Sequence, residues 1–140
     1  MGMVVVAILA IGAFGAITAT AHKKKKAVAT TVTMAFNLGQ PAGQSGNYND
    51  ASFSGKVGST KAKCVNGRTV VVNQVNGPAV GEDKSAADGS WTVAAKSAVA
   101  AGEQYTATVL KRKIVRKKNR NHRHIIKCQP ASVTITIPTP

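Results

Sequence analysis

Nine of the seventeen residues from Lys111 to Lys127 are lysine or arginine, His122 and His124 stand among them, and no acid interrupts the run. Cations at this density neutralise a polyanion and release its condensed counterions, which makes affinity fall steeply as salt rises. Lys111, Arg112, Lys113, Arg116, Lys117, Lys118, Arg120, Arg123 and Lys127 are therefore the candidate polyanion contacts. A plainer reading stands beside this one: charged side chains on an exposed strand edge keep it soluble and unpaired. Cation density does not by itself separate an acidic cell-surface polymer from nucleic acid or anionic lipid. The two histidines, at i and i+2, would share a strand face and with His22 resemble part of a metal site. The surrounding cations repel a divalent ion, so no metal is expected there.

Other reactive combinations are poorly supplied. Glu82, Asp83 and Asp88 are too few for a calcium loop, and Lys84 interrupts them. No G-x-S-x-G nucleophile turn occurs, so no catalytic residue, cofactor or small-molecule substrate is expected. The nineteen Lys and Arg against five Asp and Glu give a net charge of +14, which attracts polyanions in general but says nothing about fold. One Trp, two Tyr and three Phe are a thin supply for stacking single-stranded nucleic acid. Trp91 reads as a core anchor.

Cys64 and Cys128 are the only cysteines. What they mean depends on compartment. Residues 1–21 carry no charged side chain, the run from Met3 to Ile17 is apolar, and Ala19-Thr20-Ala21 matches a signal-peptidase site. This predicts a secreted or cell-surface protein whose two cysteines form one disulfide. Closing a loop of about sixty residues contributes roughly 4 kcal/mol in the chain-entropy account. The competing reading keeps residues 1–21 as an uncleaved membrane anchor. The lysine run 23–26 would then hold the following domain on the cytoplasmic side, where the same cations would bind nucleic acid.

The elements that must position these groups read as strands. Residues 22–50 look like a flexible linker: a lysine run, a short Thr31–Phe36 stretch with some strand character, then a Gly/Pro/Gln/Asn-rich turn region. From residue 51 to 140 short alternating runs separated by turns predict a β-sandwich domain. Phe53–Val57, Arg68–Asn73, Ser90–Val93, Gln104–Val109 and Val133–Ile137 are the predicted strands, with Val70, Val72, Tyr105, Ala107, Val109, Val133, Ile135 and Ile137 facing inward. Asp88-Gly89 suits a tight hairpin turn, and Ala94–Ala101 is compatible with a helical turn. The basic segment reads as a long hairpin extending the Tyr105 and Val133 strands. Its tip falls near Lys118–Asn121, and Cys128 at its root is pinned through Cys64.

The succession Phe53-Ser54-Gly55-Lys56-Val57, Arg68-Thr69-Val70-Val71-Val72, Asp88-Gly89-Ser90-Trp91-Thr92-Val93 and Gly102-Glu103-Gln104-Tyr105 resembles the carboxypeptidase regulatory-like domain over about residues 52–137. That resemblance implies a transthyretin-like, Ig-like sandwich acting as a non-catalytic module, and it transfers no active-site residue. The expectation is thus an all-β, two-layer antiparallel sandwich with an N-terminal apolar helix and an extended basic hairpin. It would be an exported, non-enzymatic interaction module that contacts acidic polymers.

Overall fold

The computed structural model describes residues 23–40, 46–119 and 122–139. The apolar segment 1–21, expected as a leader or anchor helix, lies outside them. Within the described residues the chain is all-β apart from a single 3-10 turn at Ala62–Cys64. No helix there is long and apolar enough to cross a membrane.

Two antiparallel sheets face each other across one core. The first has the order β13-β10-β6-β7, from β6 (Thr69–Gln74), β7 (Ala79–Lys84), β10 (Gln104–Val109) and β13 (Ala131–Thr136). The second is centred on β5 (Ser52–Ser59). On one side β5 pairs with β8 (Ser90–Ala94); on the other it pairs with β2 (Thr30–Val32) and then β3 (Ala35–Asn37). A Cβ at Gly55 would run into the Thr33 carbonyl and the Trp91 ring, so the step between β2 and β3 requires glycine beneath it. A two-stranded ribbon of β4 (Asn47–Tyr48) and β9 (Val99–Ala100) closes one end.

Alternation builds the core. Val70, Val72, Tyr105, Ala107, Val109, Val133 and Ile135 from the first sheet meet Val32, Phe53, Val57, Trp91 and Val93 from the second. The Phe53 and Tyr105 rings lie 5.2 Å apart across the layers. The inward positions read from β6, β10 and β13 are buried as expected, Ile137 included. The arrangement is β-sandwich-like, and Trp91 sits in its core.

Three expectations need correction. Residues 22–50 were read as a linker, yet 23–40 and 46–49 supply strands and a bridge between Gln40 and Asn49. Val28, Val32, Met34 and Tyr48 are buried, so apolar side chains spaced along a Thr/Ala-rich stretch outweighed its turn-forming surroundings. The domain boundary therefore does not fall at residue 51. Ala94–Ala101 forms no helical turn: it ends β8 and supplies β9.

Asp88-Gly89 does turn the chain, with Gly89 at φ 87°, but β7 and β8 belong to different sheets, so the turn passes between layers. Here the Asp88 carboxylate accepts from Ser90 Oγ at 2.6 Å and from the Ser90 N–H at 3.0 Å. These bonds, the hydroxyl foremost, hold the Asp88 pKa below its ordinary value, with Lys56 assisting. A depressed carboxylate stabilises the fold above the ordinary aspartate range, and that contribution is lost as pH falls through the folded-state pKa. Ser90→Ala should move the Asp88 midpoint upward in a carboxyl-carbon NMR titration. An unmoved midpoint would show that the hydroxyl is not the cause.

Candidate polyanion-binding sheet

The basic segment folds as a hairpin of β11 (Arg112–Asn119) and β12 (His122–Cys128). Ile114 lies opposite Ile126, Val115 opposite Ile125, Arg116 opposite His124 and Lys117 opposite Arg123, with a register shift between Lys117 and Asn119. Two residues separate the hairpin from β10, but it does not lengthen that strand's ladder. It belongs to a separate sheet of order β1-β12-β11, where β1 is Lys23–Val28. The expected extension of the Tyr105 and Val133 strands is corrected accordingly.

β1 pairs with β12 in parallel. Lys23 is opposite Arg123, Lys24 opposite His124, Lys26 opposite Ile126 and Val28 opposite Cys128. The lysine run thus joins the same surface as the hairpin, and thirteen of the nineteen Lys and Arg lie in residues 23–26 and 111–127. All five acids fall between Asp50 and Glu103, outside this sheet. The ion pair found among the described residues is Lys56–Asp88, on the sandwich. Like charges on neighbouring strands repel, and here no carboxylate offsets them.

Three features hold this charged sheet in place. A disulfide joins Cys64 to Cys128, Cα to Cα 5.4 Å, and forms with Val28 a small apolar cluster against which Ile114 and Ile126 pack. Arg112 Nη1 donates to the Asn66 carbonyl at 2.8 Å, so this predicted polyanion contact also docks the hairpin on the loop after Cys64.

Arg68 is the third, and its side chain was not singled out from the sequence. It is 1 % exposed. Nη1 donates to Thr30 Oγ1 and the Cys64 carbonyl, and Nη2 donates to the carbonyls of Leu110 and Gln129. One guanidinium thereby ties β2, the 3-10 turn, the entry to the hairpin and its exit. Burial, and then the charge of Arg112, lower its pKa from the usual arginine value. Nε of Arg68 and Nε1 of Trp91 are buried without a hydrogen-bond partner.

Of the predicted contacts, Lys111, Lys113, Arg116, Lys117, Arg123 and Lys127 are exposed, as is Arg112 despite its docking role. Lys118 lies near the end of β11, and Arg120, with Asn121 beside it in the expected tip, falls outside the described residues. Lys61 is not among the predicted contacts, whereas the lysine run 23–26, open from the sequence to joining this surface or acting only in export, pairs with β12. Lys26 and Lys61 line a groove together with Arg116, Lys117, His124, Ile125 and Ile126. The disulfide was the signal that could have found Lys61: whatever flanks Cys64 must lie near the strand that carries Cys128. No group of three His, Cys, Asp or Glu capable of holding a metal occurs among the described residues.

Comparisons with protein-family models, with curated proteins and with solved structures returned no match.

Proposed function

We propose that this chain is an exported, non-enzymatic interaction module, secreted or at the cell surface, that contacts acidic polymers through the sheet of β1, β12 and β11. The observation that carries the reading is the parallel pairing of the lysine run with β12, which merges two cationic segments far apart in sequence into one surface without acids. Such a surface is strained by its own repulsion, and a polyanion relieves that repulsion on binding. The disulfide supports the exported location, since such bonds persist in oxidising compartments. The finer fold assignment, a transthyretin-like carboxypeptidase regulatory-like module, is supported by the turn and strand pattern of β5, β6, β8 and β10.

The test is retention on a heparin column. Wild-type protein should elute late, and replacing Lys117, Lys118, Arg120 and Arg123 by glutamine should bring elution to markedly lower salt. Each cation removed should lower the logarithmic salt slope by about one. Unchanged elution of the quadruple variant removes the hairpin from the reading.

A further inference from the structure

The groove between the cationic sheet and the Lys61 loop has a volume of about 790 Å³, within the range of small-molecule pockets. Its composition is uneven in a useful way. Lys26, Lys61, Arg116 and Lys117 give four formal positive charges, and His124 adds a ring donor. Ile126, half-buried against the disulfide cluster, gives the lining an aliphatic patch. Strand alternation puts Lys26, His124, Arg116 and Ile126 on the face that also carries Cys128, because Lys26 is opposite Ile126 and His124 opposite Arg116. Lys61 enters from the other side, three residues before Cys64. The disulfide therefore fixes the spacing between the two walls.

A plain polyanion chain has no use for an aliphatic patch beside the cations, and a neutral apolar ligand has none for the four cations. We propose that the groove binds an anionic amphiphile: a phosphomonoester head, carrying close to two charges at neutral pH, joined to an apolar chain that lies against Ile126. The phosphate oxygens take the ammonium and guanidinium donors, Arg116 offering a planar fork suited to two of them. This deepens the polyanion reading and rests on it.

The probe is dihexanoyl phosphatidic acid, soluble as a monomer, titrated into oxidised protein and followed by amide NMR shifts. Saturable shifts should centre on Lys61 and on His124–Ile126, with inorganic phosphate at least tenfold weaker. Lys26→Gln/Lys61→Gln/Arg116→Gln should weaken the amphiphile at least tenfold. Lys63→Gln/Lys84→Gln/Lys96→Gln removes equal charge from outside the cationic sheet and the groove lining, and should stay within twofold. All six side chains are exposed, so both variants should keep the wild-type melting temperature. Vesicles containing dioleoyl phosphatidic acid then separate a membrane source from a free one: recruitment lost only in the groove variant assigns the ligand to the bilayer, while shifts with the soluble probe and no recruitment assign it to solution.

Equal losses in the two triple variants, or phosphate as tight as the amphiphile, overturn the groove. If wild-type protein still binds heparin in that case, the polyanion reading survives. Absence of heparin retention sinks both.

Discussion

Replacing Cys64 and Cys128 together by serine should cost the fold about 4 kcal/mol, the chain-entropy value for a bond closing a 64-residue separation. In a domain of this size the melting temperature should fall by more than about 10 °C. The loss should also be uneven. The cationic sheet shares no residue with the main core; its own cluster is Val28, Cys64 and Cys128, with Ile114 and Ile126 beside it. Removing the sulfur bridge takes away the centre of that cluster and leaves the cations of β1, β11 and β12 to repel one another. Amides of these three strands should therefore lose hydrogen-exchange protection before those of β6 and β10. Simultaneous loss across both regions would show that sheet and sandwich open as one unit.

Arg68→Met should destabilise the oxidised protein by about 3 kcal/mol in chemical denaturation. The methionine retains an apolar stem but offers no donor to Thr30 Oγ1 or to the carbonyls of Cys64, Leu110 and Gln129. Each stranded buried acceptor costs about 1–3 kcal/mol, and relief from burying an unpaired charge offsets part of the sum. Arg68→Lys should rescue little, because one ammonium does not reproduce a fork that serves four partners in two directions. A change below about 1 kcal/mol for Arg68→Met would mean that water replaces the guanidinium without penalty.

The parts of this fold that were legible are those whose local pattern decides their position. β6, β10 and β13 alternate inward valine, tyrosine, alanine or isoleucine with outward polar residues, and such a pattern has one way to face a core. β7 was missed because its side chains are exposed or half-buried throughout, so it has no period to read. β1 was missed for a different reason. Four consecutive lysines carry no inward and outward signal, and their strand conformation is set by β12 and by the anchoring of Val28.

The site divides the same way. Charge density marked the β11–β12 ribbon and cysteine parity marked the pin, but the groove needed three segments brought together, and only the fold does that. Arg68 stayed hidden because its partners beyond Thr30 are main-chain carbonyls, which leave no trace in side-chain composition.

The parallel register between Lys23 and Arg123 also governs when this surface can come into being. During synthesis β1 emerges about a hundred residues ahead of the strand it needs, while β5 meets β2 and β3 soon after they appear. Pairings so remote along the chain are slow to form, because a large loop must close before any contact rewards it. The lysine run therefore stays unpaired until β12 has been made, by which point every strand of the sandwich except β13 is already available.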